Sequence, residues 1–223
     1  MTIRYSTVGI VGTGAMGRGI AQIAAQAGST VQLFDLNPEA CRQAHAAIAA
    51  QWDKLQDKGR IDAATADAYK TRLQTAASLG DLHNCDLVVE AAVERLDIKQ
   101  RLFAQLEDIV RPDAVLVTNT SSLSVTAIAA GLKRPAQFAG YHFFNPVPLM
   151  KVVEVIAGLK TDTAVCAGLT EYARQMGHTP VQAQDTPGYT VNHAPRANVT
   201  EELRIVSEDI TDFGTVDRIL KDQ

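Results

Sequence analysis

The sequence predicts an α/β fold, with a doubly wound and mostly parallel sheet followed by the beginning of an α-helical domain. Strand-like apolar runs alternate with helical patterns along most of the chain, as in sheets whose parallel strands are joined by crossover helices. An apolar strand over 7–11 leads directly into three closely spaced glycines, and a second apolar run over 31–34 ends in Asp35. Strand, glycine turn, helix, strand and acid follow one another as a bound dinucleotide requires.

The glycine turn carries the spacing G-x-G-x-x-G at Gly12, Gly14 and Gly17. In a Rossmann-type fold the first glycine allows a tight turn, the second lets the main chain approach the pyrophosphate, and the third lets the helix pack on the strand. The helix that starts at Ala15 and Met16 would direct its free N–H groups and positive dipole end toward the phosphates. We therefore expect these five residues to bind a dinucleotide cofactor.

Asp35 indicates which dinucleotide is bound. Its carboxylate would accept hydrogen bonds from the adenosine ribose hydroxyls and repel a 2′-phosphate. The next two residues, Leu36 and Asn37, supply no arginine to attract that phosphate. The predicted cofactor is therefore NAD and not NADP.

Composition excludes several classes of function. The formal net charge of −4 argues against a general nucleic-acid surface. The three cysteines are widely spaced and lack C-x-x-C pairs, so we predict free thiols and no metal site. The first apolar run is broken by glycines, which argues against a signal peptide or a membrane span. We expect a cytoplasmic enzyme that does not bind membranes.

Apolar periodicity predicts the remaining elements. Strands are predicted at 7–11, 31–34, 87–90, 115–118 and 138–142, with two more at 152–156 and 180–183. Helices are predicted as a pair within 37–72 separated near Gly59, over 98–110 before Pro112, over 165–176, and from Val191 onward. We expect an NAD-binding domain over 1–186 and, over 187–223, the first helices of a truncated C-terminal helical domain. The apolar residues of 203–220 would leave that tail either self-associating or mobile.

Ligands of open parallel sheets lie across the carboxyl ends of the strands, so the residues just after each strand should carry the chemistry. Four segments stand out for this reason: 88–99, 119–125, 141–156 and 185–192. The candidate polar residues in these segments are Glu94, Lys99, Asn119, Ser121, His142, Glu154 and Asn192. These segments resemble the 3-hydroxyacyl-CoA dehydrogenase family, NAD-dependent enzymes that oxidise a 3-hydroxyacyl thioester to the 3-ketoacyl thioester. The resemblance runs from Val8 to about Arg204, and HFFNPVP (142–148) and DTPGYTVN (185–192) carry it most specifically.

The resemblance implies that His142 is the general base and that Glu154 orients and polarises it. Independent chemistry agrees, since hydride transfer from an alcohol needs a group that accepts the hydroxyl proton near neutral pH, and imidazole has a suitable pKa. A carboxylate on the far ring nitrogen would stabilise the imidazolium. A Pro-Val-Pro turn separates the two residues, so their pairing requires adjacent strands or a hairpin.

The resemblance also implies contacts with both ligands. Ser121 and Asn192 would hold the substrate oxygens, and Lys58 falls near a position that contacts coenzyme A. Lys54 lies one helical turn before Lys58 and could attract the same phosphates. The expected cofactor contacts outside the glycine turn are Asp35, Glu94, Lys99 and Asn119. The implied partner is a 3-hydroxyacyl-CoA substrate.

These assignments have structural alternatives, since a lone histidine in an apolar segment, such as His142, could be a structural histidine with satisfied hydrogen bonds. Ser121 and Ser122 could cap a helix, Lys54 and Lys58 could form a solvated helix face, and Glu94 with Lys99 could be a surface ion pair.

The chain departs from the family pattern in the region of the second domain. The family's second domain is a larger helical unit that carries the dimer contact, so we expect a homodimer in a full-length form. Pro195 sits within the first predicted helix of that unit, where a proline removes a backbone hydrogen bond.

One alternative function is a truncated NAD-binding module without turnover. Another is a 3-hydroxyisobutyrate- or 6-phosphogluconate-type dehydrogenase, whose glycine motif is similar but which uses a catalytic lysine.

Overall fold

The computed structural model describes residues 3–193 and 196–221, and side chains of 196–199, 220 and 221 are outside the description. Over this part of the chain the strands are β1 Thr7–Val11, β2 Thr30–Phe34, β3 Leu73–Thr75, β4 Leu87–Glu90, β5 Val115–Thr118, β6 Phe138–Phe143, β7 Val152–Ala157 and β8 Thr179–Gln184. They form one sheet of eight strands in the order β3-β2-β1-β4-β5-β6-β7-β8. The predicted doubly wound, mostly parallel Rossmann-type sheet is confirmed, because only β7 runs antiparallel to its neighbour β6.

The helices of the described residues are α1 Ala15–Ala27, α2 Pro38–Asp57, α3 Ala63–Arg72, α4 Leu96–Ile109, α5 Val125–Ala129, α6 Thr163–Gln175, α7 Arg196–Ser207 and α8 Phe213–Lys221. Short 3₁₀ turns cover Leu79–Asn84 and Pro135–Gln137. The sequence pattern did not predict β3 and α5. With three and five residues, these elements are too short to show a period.

The strands of the sheet are covered on both faces, as expected for parallel β structure. In β4, Leu87 and Val89 face one apolar core, while Val88 faces the other. The two faces alternate because successive side chains of a strand point in opposite directions. The central strands β4, β5 and β6 are thereby buried along their whole length, whereas the edge strands β3 and β8 include exposed residues. The carboxyl edge of the central strands is left to bind ligands.

The helix pair α2 and α3 is confirmed, and local signals explain its ends. Asn37 caps α2 by accepting a hydrogen bond of 3.0 Å from the N–H of Glu39. The helix ends at Asp57, and Gly59 follows two residues later with a φ of +65°, which suits a residue without a side chain. Trp52 is fully buried and packs against Tyr69 of α3, with ring centroids 5.6 Å apart.

The chain reverses between β6 and β7, and this reversal positions the candidate dyad. His142 and Glu154 are direct partners in the antiparallel register. The condition derived from the sequence, that these residues lie on adjacent strands, is therefore confirmed.

Helices α7 and α8 follow the turn at 187–193 and expose several large apolar side chains. These are Leu203, Ile210, Phe213 and Ile219, each more than half exposed. Pro195, singled out in the sequence, lies outside the described residues. None of the helices over 3–193 and 196–221 is both long and apolar enough to cross a membrane.

Candidate active site and cofactor cleft

The glycine turn connects β1 to α1 at the centre of the sheet, where the strand order changes direction between β1 and β4. Gly12 has a φ of +97°, and a Cβ added to it would lie 2.6 Å from the carbonyl oxygen of Ala91. A Cβ added to Gly17 would lie 1.8 Å from the carbonyl oxygen of Gly12, so this position admits no side chain. The tight turn and the close packing expected of these two glycines are both present.

Gly14 has a different role, because a Cβ added to it would meet nothing within 4 Å. The space in front of it is open to a ligand. Helix α1 begins beside it at Ala15 and Met16, with no side-chain cap and no acidic residue in its first turn. Its first N–H groups and dipole end therefore fit a pyrophosphate, as NAD requires.

Asp35 lies at the end of β2 and is tied to the glycine turn. Its Oδ2 accepts hydrogen bonds of 2.9 Å from both the N–H and the hydroxyl of Thr13, and its Oδ1 accepts one of 3.0 Å from the N–H of Asn37. Burial by itself raises the pKa of Asp35, but these hydrogen bonds bring it below its ordinary value overall. The carboxylate is thus held charged beside the position expected for the adenosine ribose.

Lys99 and Glu94 lie beyond the end of β4 but do not form the surface ion pair considered from the sequence. Lys99 is 1% exposed, and its ammonium donates hydrogen bonds of 2.6 and 2.7 Å to the two oxygens of Glu90. Glu94 Oε2 lies 3.3 Å from the same ammonium, and the Glu94 side chain is 39% exposed. Lys99 therefore belongs to a buried network, and only Glu94 faces the cleft.

Glu94 also holds the segment that carries Ser121. Its Oε1 accepts hydrogen bonds from the Thr120 hydroxyl and, at 3.2 Å each, from the Ser121 N–H and the Ser122 hydroxyl. Burial raises the pKa of Glu94, whereas these donors and Lys99 lower it to below its ordinary value. Residues 119–124, which we call the serine loop, are thus fastened to the charged network.

Asn119 begins the serine loop and links two neighbouring strand ends. Its side-chain oxygen accepts a hydrogen bond of 2.8 Å from the N–H of Phe143, the residue after His142. The predicted cofactor residue therefore also sets the spacing between β5 and β6.

His142 and Glu154 form a buried dyad at the end of β6. Nδ1 of His142 lies 2.8 Å from Oε2 of Glu154, and the two residues are 5% and 0% exposed. Because an ionised carboxylate can only accept, we assign the proton to Nδ1, and Nε2 is then the nitrogen that can exchange a proton with a ligand. The rings of Phe144 and Tyr189 lie 4.4 and 5.7 Å from the imidazole and restrict its orientation.

The second oxygen of Glu154 fixes the turn that follows β8. Oε1 accepts hydrogen bonds of 2.8 Å from the N–H groups of Thr190 and Val191. Asn192 is the next residue, half-buried in the same turn, so the chain brings this substrate candidate toward the dyad.

Asp185 anchors the start of that segment, a role that the sequence analysis missed. Its carboxylate accepts hydrogen bonds of 2.8 Å from the N–H groups of Val125 and Thr126, and one of 2.9 Å from the Ser124 hydroxyl. The Tyr189 hydroxyl adds a hydrogen bond of 2.9 Å to the Leu123 carbonyl. The segment over 185–192 is thereby joined to the serine loop.

Lys54 and Lys58 are both exposed at the carboxyl-terminal end of α2. A cleft of about 260 Å³ separates α1 from α2 and reaches the segment after β6; its lining includes Arg18, Gln22, Ile48, Gln51 and Asn145. Lys54 and Lys58 lie on the Gln51 side of α2, three and seven residues further along. The cleft extends from residues 145–148, shortly after His142, to the side of α2 that carries the two lysines, which suits a long ligand with phosphates.

No group of three or more His, Cys, Asp or Glu side chains within the described ranges could hold a metal ion. The charged site consists instead of the dyad, the Glu90–Lys99–Glu94 network and Asp35. Glu90 was not identified from the sequence, although an acid that ends an apolar strand is itself a signal of a buried partner.

Comparison with known proteins identifies the family of this chain. Residues 7–186 match the family model described as 3-hydroxyacyl-CoA dehydrogenase, NAD binding domain. The chain is 41% identical over 222 residues to a 3-hydroxyadipyl-CoA dehydrogenase of Escherichia coli, covering 100% of this chain and 47% of that protein. A probable 3-hydroxybutyryl-CoA dehydrogenase of Deinococcus radiodurans is 41% identical, over 96% of this chain and 76% of that protein.

Solved structures agree with this assignment. The structure of 3-hydroxybutyryl-CoA dehydrogenase from Escherichia coli superimposes with a TM-score of 0.90 at 42% identity, over 93% of this chain and 44% of that one. That of (S)-3-hydroxybutyryl-CoA dehydrogenase from Ralstonia eutropha has a TM-score of 0.90 at 35% identity, over 95% of this chain and 75% of that one. The chain thus spans less than half the length of the two Escherichia coli proteins. It belongs to the 3-hydroxyacyl-CoA dehydrogenase family of NAD-dependent enzymes and comprises that family's NAD-binding domain.

Proposed function

We propose that this chain oxidises a 3-hydroxyacyl-CoA to the 3-ketoacyl-CoA with NAD, using His142 as general base and Glu154 as its orienting carboxylate. The buried hydrogen bond of 2.8 Å between His142 and Glu154 carries the proposal. It lies at the sheet edge where the glycine turn and Asp35 fit a dinucleotide. Two relatives are named as dehydrogenases of 3-hydroxyadipyl-CoA and 3-hydroxybutyryl-CoA, and these names support the substrate class.

The dyad would handle the proton of the reaction. Bound NAD supplies the acceptor for the hydride that leaves C3 of the substrate. As that C–H bond breaks and the C3–O bond becomes a carbonyl, the hydroxyl proton passes to Nε2 of His142. Glu154 stabilises the resulting imidazolium through Nδ1–H, and its own position is held by Thr190 and Val191.

Two side chains would hold the substrate oxygens. Ser121 lies on the serine loop at the end of β5, and Asn192 follows the backbone groups bound by Glu154. These placements support contacts to the hydroxyl and thioester oxygens and so orient C3.

The coenzyme A part would extend along α2. Lys54 and Lys58 are exposed beyond the cleft between α1 and α2, where they can attract phosphates. The residues that we propose for the cofactor are Gly12, Gly14, Ala15, Met16, Gly17, Asp35, Glu94 and Asn119, and Lys99 supports this set from the buried side through Glu94. Division into domains at 1–186 and 187–223, homodimerisation and cytoplasmic location stay predictions.

The direct test adds NAD and a short 3-hydroxyacyl-CoA to the chain and follows NADH absorbance, with NADH binding measured separately by fluorescence titration. Turnover that requires both substrates supports the proposal. NADH binding without turnover would favour an NAD-binding module instead. The 3-hydroxyisobutyrate-type alternative predicts turnover of a free hydroxy acid, and such turnover without activity on the thioester would contradict the proposal.

A further inference from the structure

We infer that Glu90 is a positioning residue for the proposed reaction, and that it acts through Lys99 on Glu94 and the serine loop. The inference rests on the proposed function, since the loop matters only if Ser121 holds the substrate. Glu90 ends β4, next to the strand that enters the glycine turn.

The carboxylate of Glu90 is fully buried and joins three segments of the chain. Its Oε1 accepts hydrogen bonds from the Ala92 N–H at 2.7 Å and from Lys99 at 2.6 Å. Its Oε2 accepts one of 2.7 Å from Lys99 and one of 2.7 Å from the Thr118 hydroxyl. A single side chain thus fixes the turn after β4, the first half of α4 and the end of β5.

Lys99 connects Glu90 to Glu94, which faces the cleft. Its side chain is 1% exposed, so in this arrangement its ammonium meets Glu90 and Glu94 and does not reach the solvent side of the cleft. Glu94 is the exposed member, and its other oxygen holds Ser121 and Ser122. The contacts therefore run from Glu90 through Lys99 and Glu94 to the substrate candidate.

Glu90 also supports the backbone beneath the glycine turn. The carbonyl oxygen of Ala91 would lie only 2.6 Å from a Cβ on Gly12, and the N–H of the next residue, Ala92, donates to Glu90. The backbone carbonyl of Glu90 accepts a hydrogen bond of 2.8 Å from the N–H of Asn119. Glu90 therefore holds backbone next to both the glycine turn and the serine loop.

The energetics favour positioning over stability as the role of this pair. Taking a carboxylate and an ammonium out of water costs free energy that their attraction often only offsets, and apolar residues of similar volume frequently stabilise a fold as well or better. The surrounding strand residues Val88 and Val89 are apolar and fully buried. A charged pair in such a place supplies directed hydrogen bonds, and here these converge on the cleft.

The test compares Glu90→Gln with Glu107→Gln. Glu107 is a matched control because it is also buried, lies on the distal part of α4 and accepts backbone hydrogen bonds of 2.8 and 2.5 Å from Lys133 and Arg134. For Glu90→Gln we expect kcat/KM for the 3-hydroxyacyl-CoA to fall about 10- to 100-fold, mainly through KM, as for a misplaced binding group. The Kd of NADH should rise by a smaller factor, because Glu94 and Asn119 are proposed cofactor contacts while Gly14 and Asp35 are untouched, and the acid limb of the pH profile should stay in place because the dyad is untouched. Glu107→Gln should lower Tm and leave kcat/KM unchanged.

Thr118→Val tests the same support more gently, and it decides the matter if Glu90→Gln does not fold. This variant keeps the side-chain shape and removes one donor to Glu90, so a smaller loss of kcat/KM in the same direction is expected. Folded variants with wild-type kcat/KM would overturn the inference, as would an equal loss in Glu107→Gln or a loss of NADH affinity as large as the loss of kcat/KM. If the wild type is active and the Glu90 variants keep its kcat/KM, only this inference is contradicted. If the wild type has no turnover, the proposed function is contradicted, and the inference about Glu90 falls with it.

Discussion

His142 and Glu154 face each other directly across strands β6 and β7, with Nδ1 of the imidazole 2.8 Å from Oε2 of the carboxylate. The other oxygen of Glu154 binds the N–H groups of Thr190 and Val191. One buried carboxylate therefore orients the candidate base and also holds the turn that carries Asn192. This double role connects the chemistry of the sheet edge with the segment that leads to the helical tail.

Replacing the base should affect chemistry more than cofactor binding. We expect His142→Gln to lower turnover by about 10²- to 10⁴-fold, the range for loss of a positioned acid or base. NADH affinity should change little, because the glycine turn and Asp35 are untouched. The matched control is His83→Gln at an exposed histidine whose ring contacts the Gly80 carbonyl. Near wild-type turnover in His142→Gln, measured by steady-state NADH formation, would show that another residue is the base.

Glu154→Gln should lower turnover in the same direction, by about 10²-fold or more. The neutral amide cannot stabilise the imidazolium, and its single oxygen cannot serve both His142 and the backbone of Thr190 and Val191. A lower Tm should accompany the kinetic loss. A variant that loses stability and keeps full turnover would limit Glu154 to a structural role.

Asp35 should determine the preference for NADH over NADPH. Hydrogen bonds hold its pKa below the ordinary value despite burial, so the charge persists through mildly acidic pH. We expect Asp35→Asn to reduce the ratio of the two affinities about tenfold, or about 1.4 kcal/mol, because the repulsion of a 2′-phosphate is removed. Fluorescence titration checks this, with exposed Asp113→Asn as the control. Wild-type binding of NADPH as tight as NADH would contradict the assignment.

Lys54 and Lys58 should matter only for substrates with phosphates. Lys54→Ala with Lys58→Ala should raise KM for a 3-hydroxyacyl-CoA several-fold at low salt and less at high salt, because exposed charges are screened. A thioester that lacks the nucleotide part should show no such change. Lys133→Ala is the control, since this exposed lysine pairs with Asp108. Equal effects on both thioesters would indicate that the two lysines form only a solvated helix face.

Asp185 should make stability depend on pH. Burial raises its pKa, but hydrogen bonds from Thr126, Val125 and Ser124 bring it below the ordinary value overall. A lowered folded-state pKa stabilises the fold above the unfolded value near pH 3.9, and this contribution is lost as the pH falls through the folded pKa.

Asp185→Asn should therefore lower Tm at neutral pH, by about 2–4 °C for each kcal/mol lost, and the gap to wild type should close below about pH 4. Thermal unfolding followed across pH measures both effects. A gap that is constant with pH would assign the effect to packing and not to the charge.

The local patterns of this sequence were sufficient for most of the fold. Apolar runs between turns predicted seven of the eight strands that the structure describes, and Gly59 marked the division between two helices that is present between α2 and α3. These features depend on residues close together in the chain, through propensity, capping and backbone conformations that only glycine adopts easily. The same local character made the glycine turn and Asp35 recognisable. HFFNPVP and DTPGYTVN, in turn, pointed to His142 and Asn192 by resemblance.

The relationships between distant segments were decided only by the tertiary structure. The opposition of His142 and Glu154 depends on the antiparallel register of β6 and β7, which the pattern of each strand alone does not encode. The burial of Lys99 against Glu90, which also accepts a hydrogen bond from Thr118, depends on the order of β4 and β5 and on the docking of α4. The same local sequence is compatible with a charged side chain that is exposed to solvent and with one that is buried in an ion pair. Which of the two occurs depends on the local dielectric and on the partners that folding brings to the side chain. For this reason the sequence identified the ends of the strands as the site, and the packed structure determined which charges support it and which face the cleft.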